Sequence, residues 1–134
     1  MRLGLYLDTD SDDPETIARV YVDTGYSAAV CPPVTLDQPE RIRALREAFA
    51  RRDVMLAEVG VWNNMLDPDP AQRAANVEAN ARALALADEL GVLCCVNIAG
   101  SFNSKRWDGP HPRNLSEEAF ELTVQNVRLP KGVE

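Results

Sequence analysis

The sequence is poor in the side chains that metal centres and disulfide frameworks use most. Its 134 residues include one histidine and three cysteines, and no two cysteines have the Cys-x-x-Cys spacing. A histidine-rich metal site, a zinc knuckle and a disulfide framework are therefore not supported. We interpret all three cysteines, Cys31, Cys94 and Cys95, as packing thiols in a reducing compartment.

Several catalytic and targeting signatures are also missing. The chain has no Gly-x-Gly-x-x-Gly after a strand, no P-loop lysine, no Gly-x-Ser-x-Gly elbow and no His-Glu-x-x-His. It has no apolar run of membrane-spanning length, and no charged start followed by the apolar run of a signal peptide. These absences predict a cytoplasmic protein.

Charge narrows the choice of partners. The 21 acidic residues outnumber the 14 basic ones, which gives a net charge of −7. Such a surface repels polyanions, so neither nucleic acid nor an anionic membrane is expected as a partner. At the same time 46% of the side chains are hydrophobic, which predicts a globular unit with an apolar core.

The spacing of apolar residues alternates between a strand period and a helix period over four successive units. Strands are predicted to begin near residues 2, 27, 54 and 92, with a helix after each. The helix starts are predicted at Asp13-Pro14, Asp69-Pro70 and Ser116, and a capping box at Asp37 to Glu40 is predicted to start the second helix. Four such βα units predict an α/β fold with a parallel sheet and right-handed crossovers.

The last helix is expected to carry an apolar face and to end early. Phe120, Val124 and Val127 recur at helical spacing, and Pro130 would break a longer helix. Because no composition shift or linker divides the chain, residues 1–134 are interpreted as one unit.

Polar residues fall near the predicted carboxyl ends of the strands, where parallel α/β sheets bind their ligands. Strict alternation places Asp8, Glu58 and Asn97 on the inner side of a curved sheet, and it groups Glu58 with Leu56. An unpaired carboxylate there is costly unless it meets a ligand or a partner. The alternative is that Asp8 only caps the first helix and that Glu58 pairs with an arginine.

Two loops combine aromatic and polar side chains. Trp62 follows the third strand together with the amides of Asn63 and Asn64, and this set can stack on and hydrogen-bond a polyol. A longer loop after the fourth strand carries Lys105, Arg106, Trp107 and His111. Long loops in compact domains are usually functional or disordered. Alternatively, the two tryptophans are packing residues and His111 only fixes its loop.

Three segments are distinctive: VMLAEVGVWNN at 54–64, DELGVLCCVNIAGS at 88–101 and WDGPHPRNLS at 107–116. Together they resemble the sugar phosphate isomerase/epimerase family of the xylose isomerase-like superfamily, with the WDGPHP loop as the most specific part. Members of this family are (β/α)8 TIM barrels. They bind a divalent metal such as Mn, Mg, Zn or Co, and they isomerise or epimerise ketoses and related polyols through an enediolate. The resemblance implies that this chain is the (βα)4 half of such a barrel.

The resemblance also places the family's metal ligands, Glu, Asp, His and Glu, on the fifth to eighth strands. No residue here therefore inherits a ligand role, and no catalytic residue is assigned. Apurinic endonucleases of the same superfamily use histidines from the early strands, whereas Asn97 and Ile98 stand at the corresponding place in this chain. DNA-repair chemistry is thus disfavoured.

Two functions are expected. In the first, the chain is the N-terminal half of a metal-dependent sugar (phosphate) isomerase/epimerase and is inactive alone. Its substrate-binding residues are then Glu58, Trp62, Asn63, Asn97, Lys105, Trp107 and His111. In the second, the chain is a half-barrel binding or assembly module that forms a homodimer through its open sheet edges.

Overall fold

A computed structural model describes residues 1–128, in which four strands alternate with four α-helices. In chain order the elements are β1 Gly4–Leu5, α1 Pro14–Asp23, β2 Ala28–Val30, α2 Pro39–Arg51, β3 Met55–Val61, α3 Pro70–Leu90, β4 Cys94–Asn97, a 3₁₀ helix Pro112–Leu115, and α4 Glu117–Arg128. The strands are parallel and lie in one sheet in the order β1-β2-β3-β4. The predicted α/β class is confirmed, and the arrangement is consistent with a (βα)4 half-barrel. No helix within residues 1–128 is both long enough and apolar enough to cross a membrane.

Side-chain caps explain where three of the helices begin. Asp13 accepts a hydrogen bond from the backbone N–H of Thr16 at 2.8 Å. Hydrogen bonds from the Thr16 hydroxyl and N–H hold the pKa of Asp13 below its usual value. Asp69 likewise accepts from the N–H of Ala71 at 2.9 Å. The Ser116 hydroxyl accepts from the N–H of Ala119 at 3.2 Å. These three predicted helix starts are confirmed.

The capping box predicted for α2 is wrong. Gln38, rather than Asp37, is the N-cap of α2, and its side chain makes no capping hydrogen bond. Its Oε1 instead accepts from the backbone N–H of Thr35 at 3.1 Å, in the turn before the helix. With the cap at Gln38, the third helical position falls on Arg41, so Glu40 is one residue too early for the reciprocal bond.

The first strand is shorter than the alternation of leucines predicts. Only Gly4 and Leu5 pair with β2. Leu3 is 66% exposed and Leu5 is 48% exposed, whereas Leu7 packs against the apolar core. Of the three leucines expected to face the helices, Leu7 packs its side chain against the core, while the side chains of the other two are largely exposed.

An irregularity in β3 changes which face its side chains occupy. Ala29 of β2 lies opposite Leu56, but the next residue, Val30, lies opposite Glu58. One residue of β3 is skipped, so the alternation reverses beyond it. Leu56 packs against the core, while the pairing puts Glu58 on the opposite face. The prediction that Leu56 and Glu58 share a face is wrong for this reason.

The described chain forms two compact units. The first contains Met1–Gly60 and Leu86–Cys95, and the second contains Val61–Ala85 and the described chain from Val96 onward. The interpretation of residues 1–134 as one barrel unit stays a prediction.

In the first unit, aromatic side chains of α1 and α2 form the centre of the core. Tyr21 and Phe49 are each 1% exposed, and their ring centroids lie 5.7 Å apart at 58°. The Tyr21 hydroxyl accepts from the N–H of Leu7 and donates to the carbonyl of Leu5, both at 3.2 Å. Burial raises the pKa of Tyr21. The ring thus fills the core while its hydroxyl fixes the chain after β1.

The second unit has a smaller apolar cluster, formed by Leu66, Phe102 and Ala119. On α4, Phe120 is 65% exposed and Val127 is 60% exposed. The apolar face that they share with Val124 is therefore largely open in the described chain. The predicted helix break at Pro130 lies outside the described residues.

The three cysteines lie in different environments. Cys31 is half-buried, and burial raises its pKa to about 11. Burial also raises the pKa of Cys95, whereas Cys94 is exposed. The prediction that all three are packing thiols is wrong for Cys94, because this side chain lies at the surface of β4.

Candidate substrate-binding surface

Six of the seven side chains proposed as substrate contacts belong to the second compact unit. These are Trp62, Asn63, Asn97, Lys105, Trp107 and His111. Trp62 and Asn63 follow β3, and Asn97 ends β4. The other three lie in the loop after β4. No hydrogen bond, ion pair or ring contact joins any two of these six described residues.

Glu58, the seventh, is a half-buried residue of the first unit. Its backbone carbonyl accepts from the N–H of Cys31 at 2.9 Å, which joins β3 to the end of β2. Its carboxylate has no hydrogen bond or ion pair within residues 1–128, so the described chain provides no arginine partner. Asp8 is exposed and does not cap α1, since Asp13 does. An unpartnered, half-buried carboxylate suits a ligand-binding role for Glu58.

Asn64 joins the loop after β3 to the loop after β4. It is 5% exposed, and its Oδ1 accepts from the N–H of Ser101 at 2.8 Å and of Leu66 at 3.1 Å. Its Nδ2 donates to the carbonyl of Ser101 at 2.8 Å. The hydrogen bonds of this buried amide are made within the protein, so Asn64 holds the two loops together.

Asn63 is fixed by α3. Its Nδ2 donates to the carbonyl of Asn76 at 3.0 Å, and its Oδ1 accepts from Nδ2 of Asn80 at 2.8 Å. These contacts leave one N–H hydrogen and one lone pair of Asn63 for a ligand. Asn80 is 2% exposed, and its Oδ1 has no hydrogen-bond partner in the described chain. Trp62, by contrast, is 60% exposed beside this network.

The loop after β4 is held in shape by its own polar side chains. The Ser101 hydroxyl donates to the carbonyl of Gly109 at 2.6 Å and accepts from Nδ2 of Asn114 at 2.9 Å. The side chain of Asn103 accepts from the N–H of Lys105 at 2.9 Å. This segment is therefore a compact loop stabilised by side-chain to backbone bonds, as in Ω-loops.

That loop presents a cationic and aromatic surface. Lys105 is exposed and has no ion pair among residues 1–128, while Arg106 lies 3.4 Å from Asp108. Trp107 is 42% exposed. An exposed indole can stack on a sugar ring, and an ammonium group of the same loop can hydrogen-bond sugar oxygens.

His111 has a local structural role. Its Nδ1 accepts from the N–H of Arg113 at 3.3 Å, and its ring lies 6.3 Å from the ring of Phe102. The guanidinium carbon of Arg113 lies 4.1 Å from the centroid of the Phe102 ring. These contacts support the alternative that His111 fixes the loop. Its Nε2 has no hydrogen bond within the described residues, so a substrate contact would use this atom.

A metal centre is not formed in the part of the chain that the structure describes. Within residues 1–128 no group of three or more His, Cys, Asp or Glu side chains is arranged to hold a metal ion. The described residues do not fit the divalent metal that the resemblance implies.

Comparisons with protein-family models, with curated proteins and with solved structures found no match.

Sequence reasoning missed the asparagines of α3. Asn76 and Asn80 are four residues apart and so lie on one helix face. This spacing is the feature of the sequence that indicates a shared polar contact. Asn76 also donates to the carbonyl of Asn64 at 2.7 Å. The long helix thereby positions the loop that carries Trp62.

Proposed function

We propose that the chain is the N-terminal half of a cytoplasmic, metal-dependent sugar or sugar phosphate isomerase/epimerase that acts on a ketose or related polyol through an enediolate. The observation that carries the proposal is the order of the sheet, because four parallel strands adjacent in chain order are the arrangement expected of four consecutive βα units of a (β/α)8 barrel. The resemblance of the segments around β3, β4 and the WDGPHP loop supports the same assignment.

The chain's own residues suit binding rather than catalysis. Barrel enzymes bind substrate at the carboxyl ends of their strands, and Trp62 and Trp107 are exposed in the loops after β3 and β4. Proton removal beside a carbonyl needs a base and a group that stabilises the enediolate. In this proposal both come from the other four βα units of the barrel, so the chain alone is inactive.

The isolated chain is therefore expected to bind a ketose weakly and not to convert it. A dissociation constant of about 1 mM, or about −4 kcal/mol, is expected for one open loop surface. Saturation-transfer NMR with D-fructose measures the binding. Trp107→Ala should weaken it several-fold because the indole stacks on the sugar.

The matched control is Phe120→Ala, which removes another exposed aromatic ring, on α4. Equal effects of the two substitutions would contradict a role for the Trp107 loop. Epimerisation of the ketose by the purified chain with Mn²⁺ would refute the expected inactivity.

A half-barrel assembly module is the second candidate function, and the exposure of β1 favours it. β1 is an outer strand in the sheet order, and Leu3, Leu5 and Tyr6 are 66%, 48% and 56% exposed. An edge strand with exposed apolar side chains is a site for pairing with another chain. In this function two copies of the chain form a homodimer through their sheet edges, without catalysis.

Sedimentation velocity at micromolar concentration is then expected to show a dimer. Leu5→Lys should produce a monomer, because a charge on an edge strand opposes pairing. Val22→Lys is the matched control, since Val22 is also 48% exposed but lies on α1. A monomeric unmodified chain would exclude the assembly module and would leave the isomerase proposal standing.

A further inference from the structure

The second compact unit contains a groove between α3 and α4, apart from the proposed sugar-binding loops. Its volume is about 340 Å³, which is enough for a small organic molecule. None of the seven residues proposed above as substrate contacts lines it. The groove is lined by one face of α3, at Pro70, Arg73, Ala74, Val77 and Glu78, and by Asn126 of α4.

Arg73 brings a cation without a described counter-ion into this groove. The residue is half-buried, and its Nη1 donates to the carbonyl of Asp67 at 2.5 Å. Its Nε and Nη2 make no hydrogen bond within residues 1–128, and no carboxylate of that range forms an ion pair with it. The guanidinium is thus anchored at one nitrogen, with donor hydrogens remaining for an acceptor. A half-buried cation of this kind favours a carboxylate as its ligand.

Two side chains with free acceptor oxygens line the same groove. Asn126 is 4% exposed, and its Nδ2 donates to the carbonyl of Met65 at 2.7 Å. Its Oδ1 has no hydrogen-bond partner in the described chain, so this buried amide keeps an acceptor that a ligand can satisfy. Glu78 is exposed and has neither a hydrogen bond nor an ion pair among the described residues. An ammonium group suits both side chains, because it carries three donor hydrogens.

The two opposite charges of the lining select the class of ligand. Arg73 and Glu78 are five residues apart on α3, which corresponds to about 7.5 Å along the helix axis. A molecule with a single charge of either sign is attracted by one of them and repelled by the other. A zwitterion is attracted by both, and Pro70, Ala74 and Val77 offer apolar surface to its side chain. We propose that this groove binds a free α-amino acid with an aliphatic side chain.

This inference goes beyond the proposed function and does not rest on it, because the groove and the sugar-binding surface share no residue. Backbone-amide NMR of the whole chain, titrated with L-valine as the probe, tests it. We expect chemical-shift changes around residues 70–78 and 126, with a dissociation constant of about 1 mM. Isovalerate lacks the ammonium group of valine, and isobutylamine lacks its carboxylate. Each should bind about fivefold more weakly than valine, because one ionic contact is lost.

Glu78→Gln removes one charge of the groove without breaking a contact of the described chain. It should weaken valine binding about fivefold and should not weaken isovalerate binding. Arg73→Gln should weaken both ligands about tenfold, because it removes the partner of the carboxylate that they share. The matched controls are Glu89→Gln and Arg82→Gln, which change exposed residues of α3 that do not line the groove.

The two variants of the groove differ in their risk to the fold. Arg73→Gln also removes the bond to the carbonyl of Asp67, so its circular dichroism spectrum must match that of the unmodified chain, whereas Glu78→Gln carries no such loss. Equal weakening by Glu78→Gln and Glu89→Gln, equal affinity for valine and isovalerate, or the absence of any shift with valine would overturn the proposal. Shifts confined to the loops of Trp62 and Trp107 would overturn it as well.

Discussion

Gly100→Ala is expected to lower the free energy of unfolding by about 3 kcal/mol or more, because two costs combine at this position. Gly100 adopts φ +96°, in the left-handed region that side chains disfavour. A Cβ there would also lie 1.9 Å from Oδ1 of Asn64 and 3.0 Å from its Cα. Asn64 cannot move away cheaply, because its buried amide holds both N–H and C=O of Ser101. Urea unfolding followed by circular dichroism measures the loss.

Gly91→Ala separates the two costs. Gly91 has φ +72°, but nothing lies within 4 Å of a Cβ built on it. Its substitution should lower the free energy of unfolding by only about 1–2 kcal/mol, the cost of a side chain in the left-handed backbone conformation. In addition, Gly100→Ala made together with Asn64→Ala should cost less than the sum of the single changes, because the double variant removes the contact with the side chain of Asn64. Equal effects at the two glycines would show that the contact with Asn64 is unimportant.

Phe49→Ala is expected to destabilise the chain by about 4 kcal/mol, a large part of the stability of a small domain. Phe49 is 1% exposed and packs against Tyr21, so truncation leaves a cavity in the core of the first unit. Both costs of truncation, the lost transfer free energy and the cavity, apply because the site is closed. The midpoint of urea unfolding, measured by circular dichroism, should fall accordingly.

Phe120→Ala is the control for this core substitution. Phe120 is 65% exposed on α4, and its removal should change the stability by about 0.5 kcal/mol or less. A loss at Phe120 as large as that at Phe49 would mean that the face of α4 is covered in solution, for instance by a second copy of the chain.

The helices were predictable because their starting signals are local. Asp13, Asp69 and Ser116 each cap a helix through an oxygen two or three residues from its donor, and short spacing of this kind is visible in a sequence. The capping box at Asp37 failed because the sequence fits two caps one residue apart, and the turn before α2 decides between them.

The site was less predictable because its contacts are distant along the chain. The bulge opposite Val30 follows from how β2 and β3 pair, and nothing in residues 54–61 marks the skipped position. Similarly, the sequence indicates that Asn63 and Asn64 are amides available to a ligand. In the structure Asn63 is hydrogen-bonded to α3 and Asn64 to Ser101. The exposed position of Trp62 and the unpartnered carboxylate of Glu58 still leave their predicted substrate contacts open to test.

The polar side chains that brace the loop after β4 have a thermodynamic consequence for recognition. Because Ser101, Asn103 and Asn114 already fix its backbone, a ligand that contacts Trp107 would not have to order the loop on arrival. Association at this surface should then resemble docking to a rigid template, with affinity set by desolvation and contact chemistry rather than by induced fit.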